Sequence, residues 1–144
     1  MSGYHHVLIA VDLTDDSSKV VQKGLEIAGR YGAQLSLLHV VEFIPVDPAG
    51  EALLPPPVDL EGDLAKGARQ RLDALCETHG LKGAPRRVEI GVIKIQIVRV
   101  AAEVKADLIV LGSHERHGLA LLLGSTEKAI LHKAPCDVLA VRLS

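Results

Sequence analysis

Two stretches of this sequence carry residue types whose spacing can do chemistry. Gly112-Ser113-His114-Glu115-Arg116-His117-Gly118 leaves an apolar run, and Gly124-Ser125-Thr126 then leads into a helix-like segment. Glycines let main-chain N–H groups come close to an anion. A helix N-terminus with free N–H groups and two hydroxyls is a ready phosphate site. The same spacing equally serves a glycine-rich strand-to-helix turn with a Ser/Thr cap and no ligand. The second stretch ends at Asp12, directly after an apolar run. A carboxylate there can meet a ligand, or it can hydrogen-bond locally and lead into the next helix.

Other candidates are weaker. His114 and His117 have a spacing that invites a metal, but no third ligand is evident, and solvated loop histidines are the simpler reading. His39 lies inside a strand and reads as a core or crevice-edge residue. Cys76 and Cys136 show neither metal spacing nor a paired framework, so both read as reduced, half-buried thiols. Neither a Walker-type Gly-Lys-Ser/Thr nor a dinucleotide glycine fingerprint is present. No catalytic residue and no metal site is assigned.

The elements that must position these residues follow from periodicity. Val7-Leu8-Ile9-Ala10-Val11 is a short continuous apolar run, as expected of a strand covered on both faces. Thr14, Asp15 and Asp16 supply an N-cap candidate and first-turn carboxylates. Val20, Val21, Leu25, Ile27, Ala28 and Tyr31 repeat at helical spacing, and Gly32 stands where a C-cap glycine would. Leu35 to Val41 is the second strand, which completes a βαβ unit and fixes parallel pairing. A proline-rich excursion from Glu42 to about Val58 follows. Leu60, Leu64, Ala68, Leu72, Leu75 and Cys76 give a second helix, and Arg86 to Ile90 a third strand. Val92 to Val104 fits both periods. A helix is chosen, because α/β alternation needs a crossover before the next strand. Asp107 to Leu111 is the fourth strand, ended by Gly112. A helix from Ser125 or Thr126 to Lys133 and a strand from Asp137 to Leu143 close the chain. In such open sheets ligands bind outside the carboxyl ends of the strands where strand order reverses, so Asp12 and Gly112 are the natural lips of a crevice.

Composition narrows the function classes. The 144 residues suit one domain, and 48% hydrophobic with 24% charged residues fits a folded globular chain. A formal net charge of −2 gives no footing to a general nucleic-acid or membrane-surface role. Tyr4, Tyr31 and Phe43 are the only aromatics, which leaves base stacking poorly supplied. No signal peptide is visible and no apolar stretch approaches a bilayer span, so a cytoplasmic location is expected.

Three segments resemble the universal stress protein family: Val7-Leu8-Ile9-Ala10-Val11-Asp12-Leu13-Thr14; Leu35-Ser36-Leu37-Leu38-His39-Val40; and Ala106 to His114, continuing through Leu123-Gly124-Ser125-Thr126 to Ala134-Pro135-Cys136-Asp137-Val138-Leu139-Ala140-Val141-Arg142. The resemblance runs from about Tyr4 to Arg142, and residues 1–144 are expected to form a single domain of that family. It implies a Rossmann-like α/β fold, a five-stranded parallel sheet in the order 3-2-1-4-5 with helices on both faces, usually assembled as a homodimer. Some members bind ATP and others, of the UspA type, do not. In the binding branch, Ala10, Val11 and Asp12 would border adenine and ribose, with Val41 near the base. Gly112, Gly124, Ser125 and Thr126 would cradle the phosphates.

The ATP-binding pattern is Gly-x-x-Gly, nine residues, then Gly-Ser/Thr, and this chain departs from it twice. Glu115 replaces the second glycine, and the spacer Arg116 to Leu123 is one residue short. A carboxylate facing phosphate oxygens in a partly dry pocket can cost about 1–3 kcal/mol. Arg116, His114 and His117 can offset the anion, and Gly118 can return the lost flexibility.

The expected function is therefore a non-enzymatic, homodimeric stress-response protein with an adenine-nucleotide crevice. The alternative is a nucleotide-dependent enzyme, a slow ATPase or an adenylyl-transferring relative, using the same crevice. A phospho-acceptor signalling domain is discarded, because the third strand ends Ile90-Gly91 and the last contains no lysine. Val138 to Val141 is apolar on both faces and lies at the sheet edge in the implied order. Antiparallel pairing with a second copy would satisfy its ladder. Leu119, Leu121, Leu122 and Leu123 add an apolar patch. No nucleic-acid or membrane partner is expected.

Overall fold

Strands and helices alternate along the computed structural model, which describes residues 3–42, 60–113 and 125–143. The order is β1 (His6–Ala10), α1 (Ser17–Tyr31), β2 (Gln34–Glu42), α2 (Leu60–Thr78), β3 (Arg86–Gly91), α3 (Ile93–Glu103), β4 (Leu108–Ser113), α4 (Ser125–Lys133) and β5 (Asp137–Arg142). The strands form one parallel sheet in the order β3-β2-β1-β4-β5. This is the expected doubly wound, Rossmann-like arrangement.

The continuous apolar run of β1 is explained by a core on each face. Val7 and Ile9 join Val20, Val21 and Ala28 of α1 and Leu72 and Cys76 of α2. Leu8 and Ala10 join Ile97, Val100 and Ala101 of α3 and Ile130 of α4. With both faces covered, no position along the strand has to be polar. At Gly24, α1 comes so close to β1 that a Cβ would sit 2.6 Å from Ile9 Cγ1. Glycine is what allows that approach.

Three boundaries beside the carboxyl ends of β1 and β4 differ from the sequence expectations. Thr14, Asp15 and Asp16 precede α1 rather than enter it. The helix begins at Ser17, its first turn holds no acid, and Asp16 at the N-cap makes no side-chain cap bond. The carboxylate that organises this entry is Asp12. At the other end Gly32 adopts φ 64°, and its N–H donates to the Ala28 carbonyl, as a C-cap glycine should. β1 stops at Ala10 rather than Val11. β4 does not end at Gly112 but passes through it to Ser113, paired there with Val141 and Arg142. One thiol differs as well: Cys76 is fully buried, whereas Cys136 is half-buried as expected, and both are free. Burial is the leading cause that raises both thiol pKa values, which leaves them poor nucleophiles.

Polar pairs tie the periphery together. The Asp107 carboxylate accepts the His5 and His6 N–H groups at 2.7 and 3.0 Å, fixing the start of β1 to β4. Burial pushes its pKa up, but the N–H groups of His6 and His5 outweigh that, and it is lowered overall. The Tyr4 hydroxyl donates to Asp137 at 2.8 Å, and its ring stacks edge-on against Tyr31. On edge strand β3 a closed ring of charge runs from Arg87 to Glu89, to Arg99 of α3, to Glu103 and back to Arg87. No helix among the described residues is long and apolar enough to cross a membrane.

Candidate functional site

The crevice arises where the β1–β4 ladder stops. These strands pair from Val7↔Leu108 to Ile9↔Val110. Beyond that point each keeps only its other neighbour. Ala10 stays in register with Leu38, and the Val11 N–H donates to the Leu38 carbonyl at 2.9 Å. Gly112 and Ser113 stay with β5. The sheet therefore divides at its switch point, with Val11-Asp12 on one lip and Gly112-Ser113 on the other.

The first lip is held from three sides. His39, partly buried on β2, bonds through Nδ1 to the Val11 carbonyl at 2.8 Å. A carbonyl only accepts, so Nδ1 carries the proton. Asp12 Oδ1 accepts from the Thr14 N–H at 3.0 Å, the Thr14 hydroxyl at 2.7 Å and the Ser17 hydroxyl at 3.1 Å. This is an Asx-type turn whose carboxylate also anchors the start of α1. Between them Leu13 adopts φ 62°, a left-handed conformation that leucine rarely takes. Its side chain is 8% exposed and packs into the α1–α2 core. Burial of that side chain offsets the roughly 1–2 kcal/mol the backbone geometry costs. The third hold comes from α2, where Arg71 Nη2 donates to the Leu13 carbonyl at 2.5 Å.

Of the two readings of Asp12, local hydrogen bonding is thus present in the structure. One oxygen is taken up by the chain itself. Ala10, Val11 and Asp12 stand together at the lip. Val41 lies further along β2, partly buried and packed on the α1–α2 core.

The second lip gives Gly112 a reason to be glycine that spacing did not suggest. A Cβ there would lie 2.5 Å from Leu143 Cδ1 and 3.1 Å from Val20 Cγ2. Close packing of α1 and the segment after β5 over β4 demands the missing side chain. Gly124, with Glu115, Arg116, Gly118, the loop histidines His114 and His117 and the leucines Leu119, Leu121, Leu122 and Leu123, lies outside the described residues. Ser125 and Thr126 open α4, as the sequence suggested. No cluster of three or more metal-ligating side chains occurs among the described residues.

Sequence reasoning missed Leu13 and Arg71. The Asp-x-Thr spacing of 12–14 is a legible Asx-turn signal. Nothing local marks Leu13 as left-handed, and Arg71 stands 58 positions away.

A doubly wound parallel sheet that divides at its switch point, beside a helix-leading turn, defines a protein of the Rossmann-like α/β class. The universal stress protein family model matches residues 3–142, and the chain belongs to that family. It is 41% identical over 138 residues to universal stress protein A homolog 1 of Coxiella burnetii, covering 96% of each chain. The solved structure of the universal stress protein UspA from Lactobacillus plantarum superposes with a TM-score of 0.71 at 28% identity, covering 99% of this chain and 100% of that one. A universal stress protein solved in complex with cAMP is 26% identical, with a TM-score of 0.59, again covering 99% and 100%.

Proposed function

We propose that this chain is a non-enzymatic stress-response protein of the cytoplasm that works as a homodimer and holds an adenine nucleotide between β1 and β4. The observation that carries this reading is the divided ladder, with one lip pinned in place before any ligand arrives. A pre-shaped lip loses little freedom on binding, which favours affinity. The relative crystallised with cAMP supports the ligand class.

In this reading Ala10, Val11 and Asp12 border the adenine and ribose, with Val41 towards the base. Gly112, Gly124, Ser125 and Thr126 lie along the phosphates, and Glu115 opposes them. β5 offers the dimer contact. It is a sheet edge whose Val138, Leu139 and Val141 are only partly buried. An unpaired edge with apolar side chains is suited to pairing with the same strand of a second copy.

Calorimetric titration of ATP, with cAMP alongside, tests the ligand. ATP should bind with micromolar affinity and one site per chain. Glu115→Gly should raise ATP affinity about tenfold, because the like charge is removed. A flat titration of folded protein with both nucleotides refutes the nucleotide reading. Sustained ATP turnover refutes the non-enzymatic part.

A further inference from the structure

We infer that Arg71 of α2 is a positioning residue for the crevice, a clamp that holds the Asp12–Thr14 turn in its ligand-receiving shape. Its role at a nucleotide site rests on the nucleotide reading above; its hold on the turn does not.

The turn needs such a clamp because of what it contains. Leu13 stands at φ 62°, so its peptide is inclined to relax toward the ordinary region of backbone space. Relaxation would swing the Leu13 carbonyl and pull Thr14 away from Asp12. The Asp12 carboxylate, released from the Thr14 N–H and hydroxyl, would no longer be held in one orientation at the lip.

The existing holds do not prevent this. His39 fixes Val11, which precedes the flexing peptide. The Asp12 bonds to Thr14 close the turn on itself, and the Ser17 hydroxyl and N–H tie Asp12 and the Thr14 carbonyl to α1, but none of these bonds reaches the Leu13 carbonyl. The Leu13 side chain is anchored in the α1–α2 core, but its carbonyl is bonded separately, to Arg71 at the surface of α2. There a cleft of about 260 Å³ separates the two elements, with Leu13, Thr14 and Ser17 on one wall and Arg71, Leu75 and Thr78 on the other. α2 thus reaches this carbonyl across open space. Arg71 spans the gap with a charged donor, and a bond from a cation to a carbonyl is stronger than a neutral one. Arginine suits the task because its planar fork is largely pre-ordered.

The arrangement also makes the lip depend on α2. Whatever tilts α2 or frays it around Arg71 would loosen the clamp and lower ligand affinity. Arg71 itself is exposed on the helix surface, so a change there should leave the core intact.

The test is Arg71→Met, which keeps the apolar stem and removes the donor. Three measurements are made on the full chain: the urea midpoint, amide exchange by NMR, and ATP titration. The midpoint should fall by no more than the equivalent of about a tenfold change in the folding equilibrium. Exchange at the Thr14 and Ser17 amides should speed up about tenfold, with Ile9 and Leu72 accelerated by no more than that. ATP should bind about fivefold more weakly, in step with the local opening.

Unchanged Thr14 and Ser17 exchange overturns the clamp. So does an acceleration greater at Ile9 and Leu72 than at Thr14 and Ser17, which marks a merely structural residue. Faster local exchange with equal ATP affinity overturns the link to the crevice. If the parent itself binds no ATP, the nucleotide reading falls, and the exchange measurement alone decides whether Arg71 holds the turn.

Discussion

Replacing Gly112 with alanine separates packing from ligand contact as the reason for this glycine. The new Cβ would meet Leu143 Cδ1 at 2.5 Å and Val20 Cγ2 at 3.1 Å. Ordinary carbon contacts lie near 3.5–4.0 Å, so Leu143 must retreat by about an ångström. Leu143 is 7% exposed and Val20 2%, which leaves little room to yield. Overpacking of this kind costs about 1–3 kcal/mol. Stiffening the unfolded chain by Gly→Ala returns about 0.4–1 kcal/mol, for a net loss of about 1–2 kcal/mol. In urea, with a slope of about 1–3 kcal/mol per molar, the midpoint should fall by about 0.5–1 M. Leu143→Ala removes the atom that collides, so Gly112→Ala should cost at least about 1 kcal/mol less in that background. The assay is urea denaturation of the four proteins of the cycle without nucleotide. Full stability of Gly112→Ala, or strict additivity with Leu143→Ala, would refute the packing account and return Gly112 to a ligand role.

Two further outcomes are expected. Val141→Glu on β5 should shift the protein to a smaller species on a sizing column, since a buried unpaired charge at a pairing edge opposes association; an unchanged elution volume rules out pairing through β5. Asp107→Asn should cost about 1 kcal/mol at pH 7, because two N–H bonds lose a charged acceptor at a partly exposed site. The Asp107 pKa is lowered on folding, so its contribution is complete above the unfolded value of about 3.9 and is lost as pH falls through the folded value. The gap between the urea midpoints of parent and variant should therefore close below about pH 4, and a gap constant from pH 7 to pH 2.5 would exclude this origin.

The alternation of elements was legible because each signal repeats along the chain. Apolar runs bounded by Asp12, Gly32 and Gly112 marked strands and helix ends within one or two residues. α3 was the hard case, since Ile93, Ile95 and Ile97 alternate like a strand. Ile97 is buried while Ile95 is 55% exposed, so the alternation reflects one isoleucine pointing outward rather than a two-sided strand. The start of α1 was misjudged because Thr14, Asp15 and Asp16 have capping side chains. The hydrogen bonds that organise the helix entry go instead to Asp12, from Thr14 and Ser17.

The site was legible only where it is local. Topology puts Asp12 and Gly112 beside the point where β1 and β4 part, and the ladder does stop just before them, after Ile9↔Val110. The reason for Gly112 was hidden, because Leu143 and Val20 are brought to it by folding alone. Leu13 and Arg71 were hidden for the same reason: a left-handed leucine has no sequence signature, and its partner comes from another helix.

The charged ring at β3 has a bearing on how large an assembly this sheet can form. A parallel sheet has two ends, and if both accepted a neighbour, copies could add without limit into a filament. Here one end is strand β3, whose Arg87 and Glu89 are locked into ion pairs with Arg99 and Glu103. An incoming strand would have to accommodate or displace those charges, a standard obstacle to edge growth. The other end, β5, carries Val138, Leu139 and Val141. Growth at β3 is thereby disfavoured, and were sheets to join at β5, as proposed, a self-complementary contact at that single end would close after two copies.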